Sequence, residues 1–213
     1  MEKNVVLYID EEQSALDSYG RELRKNLPPE LEIICSLPQP TLPEMLKFIC
    51  SMRPRIASIV VDEHLEVAGT ADYIGSQLAD AYRQLDSKIP IYILSNHPDE
   101  IDDNLESVEY ILSKDDFADG GVALDSAIKR MVRHINAYEQ IVDEREQRFV
   151  NLLKKYVLSE ISTEEALELS ELKFWREAPA AIEESTMTME LKRKLDEQED
   201  TLNDIEKLLS GEK

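Results

Sequence analysis

The chain has 213 residues, room for one or two domains, and 42% of them are hydrophobic, enough for a packed core. A formal net charge of −21 argues against a nucleic-acid partner, whose phosphates it would repel, and suits contacts with other proteins. No apolar run approaches a membrane span, the start Met1-Glu2-Lys3-Asn4 lacks the apolar core of a signal peptide, and Cys35 and Cys50 show no metal or redox spacing. The expected setting is the cytoplasm, away from membranes.

In chain order, Val5–Ile9 reads as a first strand and runs into Asp10 and Glu11. Ser14–Leu27 has helical spacing, interrupted by Gly20 and stopped by Pro28-Pro29, which cannot continue a helix. Leu31–Leu37 is the second strand. Thr41 is placed to cap a helix that turns Met45, Phe48 and Ile49 inward. Ala57–Val61 is the third strand and ends on Asp62; Ala71–Leu85 is the next helix. Ile91–Leu94 ends on Ser95, a weak acidic helix falls near Pro98–Leu105, and Val108–Ser113 ends on Lys114. Alternating strands and helices predict an α/β domain over residues 1–120 with a parallel sheet. It carries no GxGxxG and no Walker-type loop, so nucleotide binding by those routes has no support.

Past residue 120 the pattern changes. Leu124, Ile128, Met131, Ile135, Tyr138, Val142, Phe149, Leu152 and Tyr156 recur at steps of four and three, broken only by Arg145. That is a heptad rhythm, and it predicts one long helix over 121–158 with no Gly or Pro inside. Its apolar face requires cover. An ordinary amphipathic helix packed on its own chain would have it; so would a second copy of the rod or the chain's own C-terminal helix. The reading adopted is a homodimer through the long helix, with the C-terminal helices folded alongside. Over 159–213 a helical hairpin is expected. Ser162-Thr-Glu-Glu165 forms a capping box for a helix ending near Arg176, and Leu191, Leu195, Leu202, Ile205 and Leu209 mark a last helix from Thr188. Phe174-Trp175 is expected to anchor the fold-back. No basic recognition helix stands in this acidic tail, so DNA binding is not its output. His134 reads as a surface histidine; His97, beside Ser95, reads equally as a residue that touches the site and as a loop residue with no role there.

In a parallel sheet the C-terminal strand ends share one edge, where ligand sites form. Asp10, Glu11, Asp62, Ser95 and Lys114 should therefore meet there. Three close carboxylates repel, and their oxygens suit a divalent cation such as Mg²⁺. A carboxylate can also attack phosphorus, and a lysine and a hydroxyl can then hold the phosphoryl oxygens. With "VVLYIDEEQ", "ASIVVDEHL", "PIYILSNHP" and "VEYILSKDD" in this order and spacing, residues 1–130 resemble the receiver domain of a two-component response regulator.

The resemblance implies a flavodoxin-like, doubly wound, five-stranded parallel sheet, followed here by an all-α, coiled-coil-like extension. It implies Asp62 as phosphoacceptor, Ser95 as switch hydroxyl and Lys114 as the family's lysine. Mg²⁺ would be held by Asp10, Glu11, Asp62 and the backbone carbonyl of His64. The phosphoryl donor would be a histidine kinase or a phosphotransfer protein, and the output a protein effector met by the helical tail; the chain would not be an enzyme in its own right. The alternative from another class is a phosphorylation-independent pseudo-receiver, an adaptor or assembly subunit. Four positions depart from the family pattern. Glu11 stands where Asp is usual, Asp115-Asp116 follow the lysine in place of proline, "EHLEVAG" replaces the usual Met-Pro after the phosphoacceptor, and Tyr110 lies one residue before the switch-aromatic position, which Ile111 occupies.

Overall fold

The computed structural model describes residues 4–53, 55–98, 101, 106–119 and 121–176. Five parallel strands form one sheet in the order β2-β1-β3-β4-β5: β1 (Asn4–Ile9), β2 (Leu31–Ser36), β3 (Ile56–Asp62), β4 (Ile91–Ser95) and β5 (Tyr110–Ser113). Every residue of β3 and β4 is buried. That burial on both faces is why these segments read as unbroken apolar runs and not as alternating ones.

The two faces of the sheet carry separate cores. Val5, Leu7, Ile9, Ile59, Val61, Ile91 and Ile93 pack against α2 (Leu42–Ser51) and α3 (Gly75–Leu85) through Met45, Ile49, Leu78 and Tyr82. Val6, Tyr8, Val60, Tyr92 and Leu94 face α1 (Gln13–Asn26) through Leu16 and Leu23. Thr41 caps α2 as its sequence requires, accepting from the Glu44 N–H while the Glu44 carboxylate accepts from the Thr41 N–H. Gly20 does not interrupt α1. A Cβ there would lie 2.5 Å from Cys35 Sγ, so the missing side chain lets the helix press onto β2.

A short helix, α4 (Lys114–Asp119), follows β5 directly and was not expected from the sequence. Phe117, fully buried, anchors it, and Asp115 and Asp116 occupy its first turn, where the helix dipole favours acids.

The long helix is real: α5 spans Gly121–Val157 without a break. Its first half differs from the expectation in what covers it. Leu124, Ile128, Met131 and Ile135 pack on the chain's own sheet beside α1, and Tyr138 reaches the opposite core. Their four-and-three rhythm serves a helix lying on a sheet, so Ile128 and Ile135 do not face another helix. Past Arg145 the helix turns its inner side to α6 (163–176), which runs back along it. Ion pairs Arg148–Glu168, Lys155–Glu165 and Arg176–Glu146 join the two. The turn between them contains Ser159 at φ 58°. Ser162 and Glu165 form the expected capping box at the start of α6. On the outer flank of the pair Val150, Leu153 and Val157 stay exposed. Most of the acidic helix expected near Pro98–Leu105 and the whole of the last helix expected from Thr188 lie outside the described residues.

Candidate functional site

The strand ends converge as the sequence requires. Asp10 follows β1, Asp62 closes β3, Ser95 closes β4, and Lys114 follows β5 as the first residue of α4. Asp10, Asp62, Ser95 and Lys114 are all buried. One ligand oxygen each from Asp10, Glu11 and Asp62 lies within 4.8 Å of the others.

Lys114 bridges the cluster, with Nζ 2.9 Å from Asp10 Oδ2 and 2.7 Å from Asp62 Oδ1. Burial alone would lower its pKa, but the two carboxylates outweigh burial and hold the ammonium above its ordinary value. The remaining oxygens are tied to backbone. Glu12 N–H donates to Asp10 Oδ1 at 3.0 Å, and His64 N–H donates to Asp62 Oδ2 at 2.9 Å. The Tyr8 hydroxyl donates to Asp10 Oδ2 at 2.6 Å; burial first, then the Asp10 charge, push that phenol far above its ordinary range. Tyr8 was missed by sequence reasoning. It sits two residues before Asp10 on the same strand face, a spacing that could have flagged it.

Glu11 is the unfinished part. Its Oε2 is buried without a hydrogen-bond partner. Burial, with the nearby charges of Asp62 and Asp10, pushes its carboxyl up to about 7. One ammonium against three carboxylates leaves a surplus of negative charge, and an orphaned carboxylate oxygen completes an all-oxygen donor set. Both fit a hard divalent cation, which takes carboxylates and water.

Ser95 lies at the same edge. The β3–β4 register pairs Asp62 with Leu94, one residue before Ser95, whose Oγ accepts from His97 N–H at 3.0 Å. The His97 side chain is exposed. The His64 carbonyl accepts a long bond from Val67 N–H, 3.4 Å, and its imidazole faces Glu66. The shift of the aromatic position has the consequence that strand geometry demands: Ile111 packs into the core, while Tyr110 points outward with the Arg130 guanidinium 4.2 Å from its ring centroid. His134 is occupied structurally, with Nδ1 2.8 Å from the Tyr92 hydroxyl.

No family model matches the sequence, and no curated protein matches it. Solved structures do. NtrX from Brucella abortus is 14% identical with a TM-score of 0.50, over 66% of this chain and 29% of that one. A response regulator receiver domain protein from Clostridium thermocellum is 16% identical with a TM-score of 0.49, over 65% of this chain and 98% of that one. TrrA from Thermotoga maritima, a response regulator protein solved in complex with Mg²⁺-BeF, is 15% identical with a TM-score of 0.47, over 62% and 98%. The likeness is one of fold: the α/β part of this chain has the flavodoxin-like architecture of receiver domains.

Proposed function

We propose that this protein is a signalling receiver in which Asp62 accepts a phosphoryl group from a histidine kinase or phosphotransfer protein. The observation that carries the reading is the buried, partnerless Glu11 Oε2 beside Asp10 and Asp62, with Lys114 spanning the two aspartates. Asp10, Glu11, Asp62 and the His64 carbonyl would hold Mg²⁺, which supplies charge neutralisation for incoming phosphoryl oxygens. An Asp62 carboxylate oxygen attacks phosphorus, the new P–O bond forms, and the donor's bond to phosphorus breaks with its electron pair leaving on the donor. Lys114 releases Asp62, keeps Asp10 and pairs with a phosphoryl oxygen; the Ser95 hydroxyl donates to another. The chain is then an acceptor and not an enzyme with a turned-over substrate. Its output runs through protein contacts of the α5–α6 hairpin, and the exposed flank Val150, Leu153 and Val157 is where a second copy would pair.

The rival reading is an adaptor of the same fold that works without phosphorylation. It is favoured by the engagement of both Asp62 oxygens, one by Lys114 and one by His64 N–H. Incubation with Mg²⁺ and acetyl phosphate separates the two. The proposal expects one base-labile phosphoryl group per chain, lost in Asp62→Asn and in the absence of Mg²⁺, with light scattering on the same sample reporting a dimer. A chain that takes up neither Mg²⁺ nor phosphoryl is the adaptor.

A further inference from the structure

A second buried carboxylate lies at the opposite end of the sheet. Asp86, the residue after α3, is 2% exposed. Its Oδ2 accepts from the Tyr138 hydroxyl at 2.6 Å and from Trp175 Nε1 at 3.1 Å. Its Oδ1 accepts from Lys88 N–H at 3.1 Å and from Arg145 at 3.3 Å. Two guanidinium groups lie over the Trp175 indole, Arg145 5.0 Å and Arg53 5.9 Å from its ring centroid. Arg53 also donates to the Trp175 carbonyl at 2.9 Å and to the Leu85 carbonyl at 3.4 Å. This is how α6 is fastened to the α/β domain.

The other end of α3 touches the acidic site. The N-cap residue Ile74 offers no side-chain acceptor, and Gln77 Oε1 accepts from Ile74 N–H at 3.1 Å; beside it the Glu63 carboxylate, next to Asp62 in sequence, accepts from Ser76 N–H at 2.9 Å and from the Ser76 hydroxyl at 2.8 Å. Gly75 N–H donates to the Glu63 carbonyl at 2.9 Å. A Cβ on Gly75 would fall 2.3 Å from the Asp62 carbonyl oxygen, so the first turn of α3 rests against the backbone of the phosphoacceptor itself. Between these ends run the 11 residues of α3. They form a rod of about 16 Å, packed by Leu78, Ala79 and Tyr82.

We propose that α3 couples the geometry of the Asp62 strand end to the docking of Trp175, so that a rearrangement at the site loosens α6. The trigger in this proposal, filling of the site, rests on the phosphoacceptor reading; the mechanical link does not. Gly75, Glu63 and Asp86 are its positioning residues. A rod fixed at both ends moves as one body. A shift of the Glu63–His64 backbone toward a bound cation carries Asp86 with it, and the Tyr138 and Trp175 bonds converge on one Asp86 oxygen, so its displacement away from α6 lengthens both. Coupling of this kind is reciprocal: undocked Trp175 should raise Mg²⁺ affinity by the factor by which Mg²⁺ weakens the dock.

The chain has one tryptophan, so its emission reads the dock directly. In the full chain, Gly75→Ala inserts a methyl against Asp62 and should shift emission to the red and raise acrylamide quenching while far-UV circular dichroism keeps its α/β shape. Glu63→Gln weakens the charged cap and should move both readouts the same way by less; it decides the matter alone where Gly75→Ala does not fold. Wild-type emission in Glu63→Gln and in a folded Gly75→Ala overturns the link. On the wild-type chain, Mg²⁺ alone and Mg²⁺ with acetyl phosphate should reproduce the red shift, and Asp62→Asn should abolish the part due to acetyl phosphate. If the variants shift emission but calorimetry finds no Mg²⁺ uptake, the phosphoacceptor reading fails and the α3 link stands. Mg²⁺ uptake with unmoved emission overturns the coupling.

Discussion

Two buried acidic centres sit at opposite ends of the same sheet, and they are built to opposite rules. At the C-terminal strand edge three carboxylates share one lysine, and an oxygen of Glu11 is left without a partner. At the foot a single carboxylate, Asp86, is met on both oxygens by a phenol, an indole, a backbone N–H and a guanidinium. A fully satisfied buried charge holds structure together; a buried group left unsatisfied stores a cost that a ligand can remove. The contrast separates a centre with an unmet oxygen from one in which both oxygens are met, although each is built around a buried aspartate.

The two centres also titrate in opposite senses. Burial pushes the Asp86 carboxyl up, but the bonds from Tyr138, Trp175 and Lys88 N–H, together with the Arg145 charge, outweigh burial and leave it below its ordinary value. Glu11 goes the other way, to about 7. Cutting the foot should have the largest effect. Asp86→Ala strands the Arg145 guanidinium and the Tyr138 hydroxyl, and urea unfolding should show a loss of about 3–5 kcal/mol, the range for breaking a buried pair from one side. Because the folded-state value of Asp86 is depressed, its contribution is present above the ordinary carboxylate value and is lost as pH falls through the folded one. Acid should therefore redden Trp175 emission in the wild type, and a Trp175 signal flat down to acid unfolding would remove Asp86 from the dock.

A smaller effect is expected at the other end. A carboxyl with a raised folded-state value gives stability that is full below its ordinary 4.5 and is lost as pH rises through about 7. Metal-free wild type should lose stability across that window, Glu11→Gln should flatten the slope, and Mg²⁺ should restore the wild type alone. Equal slopes in the two proteins would mean that Glu11 is not the strained group. The smallest effect belongs to neither centre. Arg148 and Glu168 form an exposed ion pair between α5 and α6, screened by solvent. Arg148→Ala should leave both the urea midpoint and Trp175 emission unchanged, which isolates the Asp86 centre as the fastening of the hairpin.

The strand-end centre was legible in the sequence because parallel strands bring their C-terminal residues to one edge whatever lies between them. Four short runs ending in Asp10, Asp62, Ser95 and Lys114 were enough to place it. The foot was not legible. Asp86 and Trp175 are 89 residues apart, and neither belongs to a motif. An aspartate after a helix reads as a solvated turn until something covers it. The heptad rhythm of α5 misled for a related reason: Leu124 through Tyr138 show the spacing that a partner helix needs, and a sheet face needs the same residues over that length. The fold-back was anticipated at Phe174-Trp175, but only Trp175 anchors it; Phe174 remains exposed. The Lys114 helix was hidden because Asp115-Asp116 reads as an acidic loop, and only the buried Phe117 shows why the chain coils there.

The length of α5 has a consequence for amplitude. Its first half is gripped by the sheet, and Arg145 meets Asp86 where that grip ends. The 12 residues from Glu146 to Val157 then extend about 18 Å beyond the pivot. A tilt of about 10° at Arg145 would sweep the far end through about 3 Å, close to the width of an atom, by the geometry of a helix rising 1.5 Å per residue. A sub-ångström adjustment at the foot would thus reach Val150, Leu153 and Val157 magnified, on the apolar flank where a partner would have the most to gain or lose.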